Sequence, residues 1–371
     1  MESFNRRIVI KVGTSTLTAG TRKLNLPQIT ALARQVADIL ARGGKAALVS
    51  SGAIAVGREY LGSPALPKTI PGKQMLAAIG QPRLMNVYEQ LFGIYGLKVA
   101  QVLLTREDIS DRKRYLNARN TLDALLDQGV IPIINENDTV AVDEIRIGDN
   151  DNLSALVANL IEADLLVILT DQAGLFNANP AQHKNARLIG EIHGPEIPAE
   201  IWHAAGGTQN GLGTGGMFTK LQAAEVARRS GADVVIAKGS EPEILRRLLE
   251  GEAVGTRIYA LVDKLEGRKR FMLAGAVPRA GIRIDEGAAA ALKAGGSLLP
   301  VGVKEVYGKF ERGDIVRVKN MEGKDRALGL VNYSSEDVRK IQGRRSGEIE
   351  NLLGYAFGDE VIHHNNMTLM G

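Results

Sequence analysis

RIVIKVGTSTLTAGTRKLNLPQITALARQVADILARGGKAALVS, residues 7–50, is the stretch whose reading decides the fold. Arg7–Val12 is a short, unbroken apolar run, the pattern of a strand buried on both faces rather than on one. Leu26, Ile29, Leu32, Ala33, Val36, Ile39 and Leu40 then recur at helical spacing, and Gly43-Gly44 supplies the stop. Ala46–Ser50 is a second run of the buried-strand type. The same alternation continues through Val99–Leu104, Val130–Ile134, Leu165–Thr170 and Val234–Lys238, with a further helical stripe at Leu153, Leu156, Val157, Leu160 and Ile161. Strands alternating with helices predict an α/β fold around a central, mostly parallel sheet.

That pattern ends near residues 265–270. Beyond it, short β-like pieces separated by glycine (GIRID, SLLPVGV, GDIVRV, ALGLVNY) predict a second, mainly β domain over 275–360, followed by a tail at 361–371. Residues 1–265 form the first domain. Within it, residues 172–216 are rich in Gly, Asn and Pro and read as an irregular excursion covering a ligand, and AVDEIRI (141–147) reads as a small hairpin arm. The 371 residues include no cysteine, which excludes disulfides, thiolate metal sites and thiol nucleophiles. A formal charge of +4 is too small at this length to imply a nucleic-acid partner. No signal-peptide pattern opens the chain and no apolar run is long enough to span a membrane, so the expected location is cytoplasmic.

Two lysines stand beside small-residue turns that precede helices: Lys11 in KVGTST (11–16) and Lys220 in GTGGMFTK (213–220). Such turns expose backbone N–H groups, and an adjacent ammonium makes a phosphate cradle, although neither segment is a Walker loop. GLGTGG matches the dinucleotide fingerprint only formally, because no strand directly precedes it and no acid ends the following strand. Between the lysines, INENDTV (134–140) and GDNDN (148–152) gather Asn135, Glu136, Asn137, Asp138, Asp149, Asn150 and Asp151. Helix caps and loop formers account for some of these residues. The whole cluster, set at strand and helix ends, fits holding a substrate ammonium, holding Mg²⁺, or pinning the two lysines. Ser50-Ser51-Gly52-Ala53 is a further nest of N–H donors suited to an α-carboxylate. No general base stands out, which points to an acceptor that needs none, since a carboxylate is already ionised at neutral pH.

In order and spacing, KVGTSTLT, SSGAIAVGREYLG, KQMLAAIGQ, LLTREDISDRKRYLNARNTLDALL, PIINENDTV, GDNDNLSALVA, ILTDQAGLF and GLGTGGMFTKLQAA resemble the glutamate 5-kinase family. The resemblance implies the amino-acid kinase fold, an open eight-stranded, mostly parallel sheet between helices. It also implies transfer of the ATP γ-phosphoryl group to the γ-carboxylate of L-glutamate with Mg²⁺, as the first step of proline biosynthesis, with feedback inhibition by proline and a dimeric or tetrameric homo-oligomer. By the same match Lys11 and Lys220 stabilise the phosphoryl group and Asp151 holds them apart. Ser51, Asp138 and Asn150 correspond to glutamate-binding positions. Lys11, Thr170, Asp171, Thr214, Gly215, Gly216, Met217, Phe218, Thr219 and Lys220 correspond to the nucleotide site. The C-terminal part, through GIRIDEG, GSLLPVG, VYGKF and GDIV, resembles a PUA domain. Residues 279–326 hold ten Lys and Arg against seven Asp and Glu, a weak excess that argues against an RNA partner. The alternatives are a sister kinase with another carboxylate acceptor, and a PUA-type RNA-binding protein with a vestigial kinase domain.

Overall fold

Strand positions follow the apolar runs closely. In the computed structural model, which describes residues 6–62, 69–141, 150–178, 180, 182–206, 216–262, 278 and 280–370, the chain divides into two compact units. The first is Met1–Ile109 with Ala118–Asp263; the second is Ser110–Asn117 with Lys264–Gly371.

The first unit is built on an eight-stranded sheet. Its strands are β1 (Arg7–Val12), β2 (Lys45–Ser50), β3 (Lys98–Leu104), β4 (Val130–Glu136), β5 (Leu165–Thr170), β8 (Glu191–Ile192), β9 (Asp233–Lys238) and β10 (Thr256–Ile258). A separate hairpin joins β6 (Leu175–Phe176) and β7 (Leu188–Ile189). The sheet order is β3-β4-β2-β1-β5-β9-β10-β8, parallel throughout except where β10 meets β9. Five neighbouring strands, β4, β2, β1, β5 and β9, therefore end on one edge, where ligands of open α/β sheets bind. Ile8, Ile10, Leu48, Ile131, Ile133 and Val167 pack with Leu32, Val36, Leu84 and Tyr88 into the core that sets those ends in place.

Capping explains why the helix Leu26–Ala41 stands where it does. Asn25 Oδ1 accepts from Gln28 N, and the Gly43 backbone (φ +86) turns the chain out while Gly44 N bonds Ile39 O. Two expectations need correction. β3 is an edge strand whose side chains are mostly half-buried or exposed, so its continuous apolar run does not mean burial on both faces. The described residues of the 172–216 excursion are also more regular than its composition suggests, with the β6–β7 hairpin, the helix Ala199–Ala204, and β8 closing one edge of the main sheet. Residues 142–147 of the expected arm lie outside the described residues.

The second unit carries β11 (Gly281–Ile284), β12 (Val303–Tyr307), β13 (Ile315–Asn320), β14 (Asp325–Leu330) and β15 (Met367–Leu369) in the order β12-β11-β13-β14-β15. Helices Glu286–Lys293, Ser335–Ile341 and Ile349–Leu353 cover its core, so helical structure is not lost here as the glycine-rich pattern suggested. Phe310 joins that core. Nor is 361–371 a tail: β15 pairs antiparallel with β14, and Val361, Ile362 and Met367 are buried.

Candidate active site

At the strand ends, three charged side chains form an ionic group. Lys11, next to last in β1, places Nζ 2.7 Å from Asp151 Oδ1. Lys220, in the first turn of the helix Met217–Arg229, places Nζ 3.2 Å from Asp151 Oδ2. Thr219 Oγ1 donates to the same Oδ2 at 2.7 Å. All three charged groups are nearly dry, with side-chain exposures of 7%, 11% and 4% for Lys11, Lys220 and Asp151. Burial alone would raise the Asp151 pKa, but the ammonium groups of Lys11 and then Lys220 outweigh it and hold the carboxyl below its usual range. Lys220, read from the sequence as a helix-start lysine beside a small-residue turn, is part of this buried group.

Glycines make room around it. A β-carbon on Gly13 would sit 3.4 Å from Lys11 Nζ, and Gly216, at φ +82, turns the chain into the helix that carries Lys220. Beside Lys220 lies a cavity of about 610 Å³ lined by Thr170, Asp171, Phe176, Gly216 and Met217. Thr170 Oγ1 donates to Asp171 Oδ1 at 3.0 Å. Phe218 and Thr219 turn their side chains elsewhere: Phe218 packs edge-on to Trp202 with centroids 5.5 Å apart, and Thr219 serves Asp151. Thr214, Gly215 and Asp149 lie outside the described residues.

At Asn150, the residue before Asp151, the amide residues meet. Asn150, the first residue of the helix Asn150–Leu160, shares its Nδ2 among Ser51 Oγ (2.9 Å), Asn135 Oδ1 (3.0 Å) and Ser50 O (3.1 Å). Asn150 Oδ1 is buried and has no hydrogen-bond partner among the described residues. Gly52, at φ +108, makes the turn from β2 into the helix Ala53–Tyr60, and Ser51 N bonds Val12 O. Asp138 follows β4 in a turn, half-buried, and burial raises its carboxyl to about 6. It does not join the Asn150 cluster by any hydrogen bond among the described residues.

Behind this cluster stands a helix that sequence reasoning passed over. Ile70–Gly93 carries Gln74, Gln81 and Tyr88 seven residues apart, hence on one face. Gln74 Nε2 donates to Thr139 O and Ala141 O, Gln81 Oε1 accepts from Asn135 Nδ2 at 2.8 Å, and the Tyr88 hydroxyl lies 2.7 Å from Ser50 Oγ. Burial raises the Tyr88 pKa, which keeps that hydroxyl protonated. The available signal was the seven-residue recurrence of Gln74, Gln81 and Tyr88.

Among the described residues, no three His, Asp or Glu side chains stand together as a metal site, and the lysines and Thr219 occupy Asp151. This donor set fits a divalent cation carried on nucleotide phosphates better than one held in a cage of protein ligands.

The family model described as the amino acid kinase family matches residues 6–238, and that of the PUA domain matches 281–353. A protein of Shewanella amazonensis named glutamate 5-kinase is 52% identical over 366 residues, covering 98% of this chain and 96% of that one. Proteins of the same name from an Enterobacter species and from Yersinia enterocolitica are 51% and 50% identical over 368 residues, each covering 99% of this chain and all of their own. Matched by that model over most of its length and by those relatives over nearly all of it, the chain belongs to the amino acid kinase family, in the group named glutamate 5-kinase.

Proposed function

We propose that this chain transfers the γ-phosphoryl group of ATP to the γ-carboxylate of L-glutamate, giving L-glutamyl 5-phosphate and ADP, the first step of proline biosynthesis. The observation that carries the reading is the buried Lys11–Asp151–Lys220 group, standing between a cavity and a cluster of amides. A γ-carboxylate oxygen forms the new O–P bond while the bond from Pγ to the β,γ-bridging oxygen breaks. The attacking group is already ionised, so no proton moves and no base is needed. Lys11 and Lys220 offset charge on the moving group. Asp151 fixes both ammonium groups before the reactants arrive, so little reorganisation accompanies the reaction.

Nucleotide phosphates, with Mg²⁺, belong at Thr170, Asp171 and Gly216–Lys220, and Thr214 and Gly215 are assigned with them. Glutamate belongs at Ser51, Asp138 and Asn150. The unpartnered Asn150 Oδ1 and the Asp138 carboxyl are acceptors suited to a free ammonium, which L-glutamate has and N-acetylglutamate lacks. We assign the chemistry to residues 1–265 and none of it to the second domain. Inhibition by proline, a dimeric or tetrameric assembly and a cytoplasmic location are parts of the same proposal.

Trapping the acyl phosphate with hydroxylamine tests the reading. Purified protein with ATP and Mg²⁺ is expected to give hydroxamate with L-glutamate and none with L-aspartate or N-acetyl-L-glutamate. Folded protein that gives no hydroxamate with L-glutamate overturns it.

A further inference from the structure

The amides behind the acceptor site form one directional chain. A backbone N–H can only donate, so the bond from Glu136 N to the Asn135 side chain at 2.9 Å identifies the accepting atom as Oδ1. Asn135 Nδ2 must then point the other way, toward Gln81 Oε1 at 2.8 Å, and Gln81 Nε2 donates onward to Gln101 Oε1 at 3.0 Å. On the near side, Asn135 Oδ1 requires a donor from Asn150, which the Ser50 carbonyl also demands. Asn150 Nδ2 is thereby committed inward, and Oδ1 is left buried without a partner.

We infer that Gln81 is a positioning residue for acceptor binding: by holding Asn135 Nδ2 it fixes the orientation in which Asn150 presents Oδ1 to the α-ammonium of the amino-acid substrate. The inference rests on the glutamate-kinase reading for the identity of that ligand, but not for the chain of amides itself. Gln81 is 9% exposed and Asn135 is 3% exposed, so water cannot easily replace either partner. Without the Gln81 acceptor, Asn135 Nδ2 is a buried donor with no partner. Its amide then turns to find one against the single restraint of Glu136 N, and Asn150 loses one of the acceptors that set its orientation, leaving Ser50 O and Ser51 Oγ. Tyr88, two turns along the same helix, steadies the Ser50–Ser51 side of the cluster through Ser50 Oγ.

The test compares Gln81→Leu with Gln81→Glu. Gln81→Leu removes the acceptor and is expected to raise KM for L-glutamate roughly tenfold or more, the scale of a hydrogen bond to a charged group, with kcat and KM for ATP changed by less than about threefold. In Gln81→Glu the carboxylate still accepts from Asn135, and exposed Gln101 is free to turn its own Nε2 toward it. That variant is expected to stay within about threefold of the parent KM. Gln81→Leu added to Asn135→Ala should cost little beyond Asn135→Ala alone, because both cut the same chain. Equal losses in kcat and in both KM values, or no advantage of Gln81→Glu over Gln81→Leu, overturn the inference. A crystal structure of Gln81→Leu decides it independently of the substrate's identity: Asn150 Nδ2 still within hydrogen-bond distance of Asn135 Oδ1 and Ser51 Oγ refutes the relay. A parent enzyme inert toward L-glutamate would instead refute the proposed function.

Discussion

Gly57 and Gly80 let two helices cross at backbone contact: a β-carbon on Gly80 would lie 1.8 Å from Ala53 O and 2.6 Å from Gly57 N. The helix Ala53–Tyr60 begins at the Ser51-Gly52 turn, and Ile70–Gly93 carries Gln81, so this crossing sets the distance between the two halves of the acceptor cluster.

Gly80→Ala is therefore expected to destabilise the fold by more than about 3 kcal/mol, because backbone cannot yield as a side-chain end can. That corresponds to a fall in melting temperature on the order of 10 °C. Gly93→Ala, in the same helix with nothing within 4 Å of the added carbon, should be neutral or stabilising by up to about 1 kcal/mol. Thermal unfolding of both variants checks the crossing, and equal effects would count against it.

Asp138 predicts a pH dependence. Its folded pKa of about 6 lies above the unfolded value of about 3.9, so the folded state holds the proton more tightly. Stability therefore declines as pH rises from about 4 through 6. Binding an ammonium needs the ionised form, so kcat/KM for glutamate should fall about tenfold per pH unit below pH 6. In Asp138→Asn that limb should vanish, leaving kcat/KM low at every pH. A pH–rate profile with no break near 6 in the parent enzyme would remove Asp138 from substrate binding.

The two ends of the ionic group should separate under mutation. Lys220→Ala is expected to lower turnover at least about a hundredfold yet remain folded, because Asp151 keeps Lys11 and Thr219 at 2.7 Å each. Asp151→Asn leaves two buried ammonium groups without a counter-charge and should cost stability as well, roughly 3–5 kcal/mol. Chemical denaturation beside steady-state kinetics distinguishes them, and a Lys220→Ala enzyme of near-parent activity would exclude that lysine from the mechanism.

Removing residues 361–371 should destroy the cooperative unfolding of the second unit, since the deletion takes out β15 and the buried Val361, Ile362 and Met367. Calorimetry showing that transition unchanged would restore the reading of this segment as a tail.

Local pattern carried much of the fold. Arg7–Val12, Lys45–Ser50 and Leu165–Thr170 are strands because their apolar runs have nowhere to go but a doubly covered sheet. The exposure of β3 was not legible, because an edge position depends on which strand lies beside it and composition does not record that. That Lys11, Asp151 and Lys220 belong together was legible through the two small-residue turns and the acid cluster between them. Gln81 and Gly80 were not, because a buried glutamine reads as a surface residue until its partner Asn135 is placed opposite, and a helical glycine reads as a weak spot until another backbone touches it. The closing strand was missed for a related reason: NNMTLMG has little apolar length and becomes a strand only through its pairing with β14.

The charges of Lys11, Lys220 and Asp151 do not cancel. Within this group, among the described residues, two ammonium groups face one carboxylate where almost no water reaches, an arrangement that costs the fold more than a single matched pair would. A polyanion arriving beside Lys220 removes that cost. In the proposed reaction the nucleotide is thus a counter-ion to the folded chain as well as a reactant. Affinity for the phosphates and resistance to unfolding are, at this point of the molecule, the same quantity measured in two ways.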